Sequence, residues 1–264
     1  MSGRPRKTSA FGERLRAWRG QRSISQLALA ERAGTTARHV SFLETGRSRP
    51  GVELVLRLSR ALEVPLRDRN ALLLAAGLAP QFATRALDDA QMQPVARVLR
   101  QLLDAHEPNP AWVFRRSLRP MLANRAGERL FPGLTSMTPE TIVDLWFGPG
   151  PFREMVDNWS EVVLAGVEAL RRDASETGDP EIVALWKRAR EYAAGIEVAE
   201  TTAPTFPVVC PRFTIGGRHV RTISAVMRFD TAVEVTASEL RVELMFPADD
   251  ASAAFFAELA ASAT

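Results

Sequence analysis

The sequence predicts an all-α domain of five helices followed by an α+β domain with an antiparallel sheet. Three observations predict it. Up to about Leu78, apolar residues recur at helical spacing between capping hydroxyls and glycines. From about Val208 onward the pattern instead alternates apolar with polar, and a Gly-Gly pair separates two such runs. The charge also changes sign: residues 1–80 carry 15 Arg and Lys against 6 Asp and Glu, a net of +9, and residues 81–264 carry 19 against 25, a net of −6.

A length of 264 residues suits two modest domains, expected at 1–80 and 106–264 with a connecting helix in 81–105. With 46% hydrophobic and 25% charged residues the composition is that of an ordinary soluble chain. No run of about 18 uncharged apolar residues is present, and the basic start Met1–Ala10 has no apolar stretch behind it. The expectation is a cytoplasmic protein with no membrane partner. Cys210 is the single cysteine, which rules out an intramolecular disulfide, and between Val209 and Pro211 it reads as a small buried hydrophobe.

In the first domain Phe11, Leu15 and Trp18 share one face of a helix whose other face carries Glu13, Arg14 and Arg16. Ser25 can cap a second helix, for which Leu27, Ala28, Ala30 and Ala33 are expected to form a small-residue packing face. Gly34 supplies the positive φ that ends it, and Thr36 caps a third helix running to about Glu44. Two short helices around a glycine turn are the helix-turn-helix pattern. Val40 and Leu43 then point inward, leaving Ala37, Arg38, Ser41 and Thr45 outside.

Such an outer face enters the major groove with its N-terminal residues nearest the bases. Arg38 is the expected main reader, because a guanidinium bonds guanine O6 and N7 together. Thr36, Ala37 and Ser41 complete the near-groove set. Phe42 either touches a thymine methyl or packs, and His39 is a phosphate contact or plain surface. Gln26 stands at a helix start where the dipole favours a phosphate, and Arg47 and Arg49 follow Gly46 as backbone clamps. The +9 balance fits the same polyanionic partner.

The run Ser25-Gln26-Leu27-Ala28 through Gly34-Thr35-Thr36 to Phe42-Leu43-Glu44-Thr45-Gly46-Arg47-Ser48-Arg49-Pro50 resembles the DNA-binding domain of Xre-type and phage-repressor regulators. The resemblance covers residues 11–78 and implies two more helices, which fit Val52–Leu62 and Leu66–Ala76. Ala37 and Phe42 stand where many relatives carry polar base readers.

Beyond Pro80, Val95, Val98, Leu99, Leu102 and Leu103 mark an amphipathic helix. Ala111–Phe114 and Met121–Asn124 read as strands around a polar turn, with Asn124 starting a helix. From Thr138 to Tyr192 the period is helical, broken at Gly148–Pro151 and Asp179-Pro180. Val208–Ile215 and Val220–Phe229 flank Gly216-Gly217 as a hairpin. In Leu240–Phe246, Leu240, Val242 and Leu244 alternate with Arg241, Glu243 and Met245, and a last helix covers Asp249–Ala260. The sum is an antiparallel sheet with helices expected against one face.

His106-Glu107-Pro108-Asn109-Pro110-Ala111, Ala123-Asn124-Arg125-Ala126, Asn158-Trp159, Gly178-Asp179-Pro180-Glu181 and Glu239-Leu240-Arg241-Val242-Glu243 with Phe246-Pro247-Ala248-Asp249 resemble the ligand-binding domain of MmyB-like transcription regulators. That resemblance implies a PAS-like fold, a pocket for a fatty-acid-like effector, and a homodimer. It makes the chain a regulator acting on a double-stranded DNA operator.

Aromatic surplus supports a pocket independently, since Trp112, Phe114, Phe131, Trp146, Phe147 and Trp159 exceed what one sheet face requires. Phe206, Met227, Phe229 and Met245 add to them from the sheet-forming third, and Val163 adds to them from a helix. Asn124 and Asn158 are candidate amides for a head group, and Asn158 could equally cap its helix or bond backbone. No metal-ligand spacing, phosphate loop or nucleophile motif is present, so neither catalysis nor a cofactor is expected. The competing reading makes the second domain a protein-docking module without a small ligand.

Overall fold

The computed structural model describes residues 9–196 and 208–261. The chain divides into two compact units, one made of Met1–Thr84 with Ser175–Thr177 and Val233–Val235, the other of the remainder.

Five helices build the first unit: α1 (Ala10–Gln21), α2 (Gln26–Ala33), α3 (Ala37–Glu44), α4 (Val52–Ala61) and α5 (Leu66–Ala75). Three begin at hydroxyl caps, because Ser9, Ser25 and Thr36 each accept from the backbone N–H three residues on. Gly34 closes α2 at φ 62°, the left-handed conformation that glycine adopts without strain. Phe11, Leu15 and Trp18 meet Leu29, Val40, Leu43, Val55 and Leu58 in one core. The α2 face differs from expectation: Leu29, Ala30 and Ala33 are buried, while Leu27 is 60% exposed. At 100° per residue Leu27 and Leu29 lie on opposite sides, and the larger burial comes from the side carrying Ala30 and Ala33 as well. Gly12 lets α1 approach the end of α3, since a Cβ there would fall 2.6 Å from the carbonyl oxygens of Leu43 and Glu44.

The second unit opens with a 3-10 turn at Ala90–Met92 and α6 (Gln93–Ala105). Strands β1 (Ala111–Arg115) and β2 (Pro120–Ala123) follow, then α7 (Arg125–Leu130), α8 (Pro139–Phe147), α9 (Pro151–Met155), α10 (Trp159–Thr177) and α11 (Pro180–Tyr192). The chain ends with β3 (Arg212–Ile215), β4 (Arg218–Met227), α12 (Val235–Glu239), β5 (Leu240–Pro247) and α13 (Asp250–Ala261). All neighbours pair antiparallel in the order β2-β1-β5-β4-β3. Gly216 and Gly217, both at positive φ, make the two-residue turn that sets the β3–β4 register.

Helices cover both faces of this sheet, a departure from the one-faced arrangement expected. Leu99 and Leu103 of α6 pack on Ala111, Val113, Leu240 and Val242. α6 is thus a layer of the second unit, and the helical part of segment 81–105 is confined to its end. The opposite face presents Trp112, Phe114, Val220 and Met245 to a larger cluster that includes Phe147, Val163, Leu185 and Phe256. β5 is covered on both sides because Val242 and Met245, which point to opposite faces, are each buried. Arg241 on the Met245 side is accommodated by Asp173, with Nη2 donating to Oδ1 at 2.9 Å.

Candidate nucleic-acid interface and ligand cavity

At the start of α3 the Thr36 hydroxyl accepts from the His39 N–H at 3.1 Å. This fixes the first turn of the helix expected to face DNA. Arg38 is exposed and its guanidinium lies 5.2 Å from the centre of the Phe42 ring, one helical turn on. Arg47 approaches the same ring at 5.6 Å. The half-buried Phe42 thereby organises two cations on one surface through its ring quadrupole. Among the described residues Arg38, Arg47 and Arg49 form no salt bridge, so their charges are uncommitted.

Beneath this surface lies a fixed charge. Glu44 is buried, and Arg19 clamps it with Nε donating to Oε1 at 2.6 Å and Nη2 to Oε2 at 3.0 Å. The Gln26 amide donates to Oε2 at 2.8 Å. Burial raises the Glu44 pKa, but the bonds from Arg19 and Gln26, with the charges of Arg19 and Arg16, outweigh it and leave the carboxyl below its ordinary value. Gln26, expected on a phosphate, is turned inward as a donor. Both His39 ring nitrogens have hydroxyl neighbours, Thr35 at 3.2 Å and Ser48 at 3.4 Å, which tie α3 to the following loop. Ala37 is partly buried against the core, and the Ser41 carbonyl accepts from the Thr45 hydroxyl at 2.7 Å.

Between the sheet and α8–α10 the second unit holds a cavity of about 290 Å³. Trp112, Phe131, Trp146 and Phe147 form much of its wall, with Phe152 and Phe213 beside them. Gly166 keeps α10 open at this point, since a Cβ would come 2.9 Å from the Phe147 ring. Polar groups gather on one side: Cys210 and Ser224, whose N–H donates to the Cys210 Sγ at 3.1 Å, and Glu243. Glu243 is half-buried on the cavity wall. Protein nonetheless surrounds the carboxyl, and burial pushes its pKa up by more than the neighbouring Ser224 hydroxyl holds it down.

A five-helix unit with an exposed cationic face and a five-stranded antiparallel unit with an apolar cavity are what two family models recognise. One, described as helix-turn-helix, matches residues 15–68, and the other, the MmyB-like transcription regulator ligand binding domain, matches residues 95–259. The chain belongs to the MmyB-like regulator family. It is a DNA-binding transcription regulator with a ligand-binding domain. Comparison with curated proteins gives no match.

In this MmyB-like regulator the cavity gathers Trp112, Phe131, Trp146, Phe147, Val163 and Met245 from the expected set. Others sit elsewhere. Phe114 packs edge-on behind Trp146 at 5.6 Å, and Trp159 lies under the Arg153 guanidinium at 4.2 Å. Met227 pairs with Val242, which puts it on the α6 face, and Phe229 packs into that same cluster. Phe206 lies outside the described residues.

Both candidate amides are committed to backbone. Asn124 caps α7 through the Gly127 N–H at 2.8 Å, accepts from the Ala111 N–H, and donates to the Asn109 carbonyl at 2.7 Å. Asn158 accepts from the Arg212 N–H at 2.8 Å and donates to the Cys210 carbonyl at 3.1 Å, holding the segment that walls the cavity. Cys210 is half-buried and lines the cavity, a correction to its reading as core. Sequence reasoning also missed Phe213, Gly166, Ser224 and Glu243. The available signal was parity: Glu243 and Met245 share a face, and Ser224 pairs with Met245.

Proposed function

We propose that this regulator binds its operator sequence-specifically as a homodimer, and that a small apolar effector in the second-unit cavity biases the dimer between two arrangements. Arg38 reads a base edge from the start of α3, with Thr36, Ala37 and Ser41 around it. Arg47 and Arg49 clamp phosphates, and Gln26 reaches one only with the amide hydrogen not committed to Glu44. The observation that carries the reading is the pair of uncommitted guanidinium groups stacked on Phe42 at the exposed face of α3. A dimer would set two such helices about 34 Å apart on one side of the duplex.

The cavity walls suit the apolar body of a small effector, such as the aliphatic part of a fatty-acid-like molecule, and Glu243 and Ser224 are the polar groups its other end would meet. The proposed role is non-enzymatic and cytoplasmic, and no helix among the described residues is long and apolar enough to cross a membrane.

The test begins with selection of a preferred duplex from a random pool, followed by titration of two variants against it and its point variants. Arg38→Ala should relax preference at one base position and cost about 1–3 kcal/mol there. Arg47→Ala should weaken all sequences alike and lower the salt slope by about 1. Equal effects on specificity, or failure to enrich any duplex, would contradict the reading.

A further inference from the structure

We infer that the cavity takes a compact apolar amine, its ammonium donating to the Glu243 carboxyl and the Ser224 hydroxyl while its body lies against Trp112, Trp146 and Phe147. The inference deepens the reading of this cavity as the effector site and rests on it. Size is the first constraint. At about 290 Å³ the cavity stands at the small end of ligand pockets, which favours a compact body.

Polarity is the second constraint. Glu243 and Cys210 are the ionisable side chains among the described lining residues, and Arg, Lys and His do not occur among them. Arg241, two residues earlier on the same face of β5, is committed to Asp173 at 2.9 Å. A carboxylate ligand would therefore meet a carboxyl and no free cation along this wall, and two acids sharing a site repel unless one takes up a proton. An ammonium reverses the sign of that interaction.

Unused hydrogen-bonding capacity is the third. The Ser224 Oγ is buried, and its one proton faces the Glu243 carboxyl, which leaves the lone pairs of the oxygen without a donor. A ligand that donates to that oxygen uses acceptor capacity the cavity leaves idle. An ammonium has three donors, enough for the carboxyl and this oxygen together. The opposing wall of Trp146, Phe147 and Phe131 offers no competing acceptor for them and fits an apolar body.

Three probes with one body and different heads test this on the full chain: n-octylamine, n-octanol and n-octanoate, titrated by calorimetry and by tryptophan fluorescence. Octylamine should bind the wild type at least about tenfold more tightly than octanol, as one charge-assisted hydrogen bond provides. Octanoate should bind more weakly than octanol. In Glu243→Gln the amine should lose its advantage while octanol still binds, which also shows that the variant is folded. If Glu243→Gln fails to fold, Ser224→Ala should narrow the amine-to-octanol ratio and serves as the second variant.

The failures are separable. Octanol binding with octanoate equal to or tighter than octylamine, or an amine preference that survives Glu243→Gln, overturns the head-group assignment alone. No binding of any probe by the wild type overturns the effector-site reading beneath it.

Discussion

Glu44 shows how one buried residue can serve a surface it never reaches. Its carboxylate accepts from Nε and Nη2 of Arg19 and from the Gln26 amide, so it joins the ends of α1, α2 and α3 under the side proposed to face the groove. Truncation of Arg19 would leave that charge buried with less than its full set of donors, a loss of about 3 kcal/mol. Arg19→Met is therefore expected to speed hydrogen exchange in α1 and α3 at neutral pH. Because folding lowers the Glu44 pKa, the pairing contributes fully above the ordinary value of 4.5 and is lost as the pH falls through the lower folded value. The gap in exchange protection between wild type and Arg19→Met should accordingly close below pH 4.5. A gap that stays constant into acid would assign the effect of Arg19 to packing of its stem.

The segment that closes the polar side of the cavity is held at the level of elements, by a residue outside the lining. Asn158 at the head of α10 bonds the backbone of Cys210 and Arg212 just ahead of β3. Asn158→Ala would orphan one N–H and one carbonyl at a cost of about 1–3 kcal/mol, enough to raise the open population of that wall tenfold or more. Cys210, which lines the wall, should then react with a maleimide correspondingly faster, and an unchanged rate would remove Asn158 from this role. The same element shows what sequence could and could not deliver. Helix starts at Ser25 and Thr36, the stop at Gly34 and the Gly216-Gly217 turn depend on neighbours a few residues away, so local chemistry made them legible. The bond from Arg19 to Glu44 spans 25 residues and the one from Asn158 to Arg212 spans 54, and no local pattern announces either. For the cavity, bulk was a usable signal for Trp112 or Phe147. Gly166, Ser224 and Glu243 line it because they are small or polar, and on a half-buried strand a glutamate reads as facing solvent.

At the scale of the molecule the two chemistries meet as a linkage problem. The residues proposed to read DNA belong to a cationic stretch of net +9 and the cavity to an acidic one of net −6, so the proposed operator and effector sites lie in stretches of opposite sign. An effector seated among Trp112, Trp146 and Glu243 touches no base or phosphate. It can change operator affinity only by binding one arrangement of the proposed dimer better than the other. Reciprocity then gives a test that needs no prior choice between activation and repression. If a saturating amine probe shifts the operator Kd by a given factor, saturating operator must shift the Kd of the probe by the same factor, about 5–150-fold for typical couplings. Both constants can be measured on one preparation at fixed salt, which matters because the phosphate contribution changes steeply with ionic strength. Glu243→Gln should raise the probe concentration at which the operator shift is half complete, since it weakens the ligand without touching α3. Equal operator affinity with and without saturating probe would leave the cavity a binding site uncoupled from DNA, and an operator Kd that rises with probe concentration without reaching a plateau would place the probe on the DNA-binding surface itself.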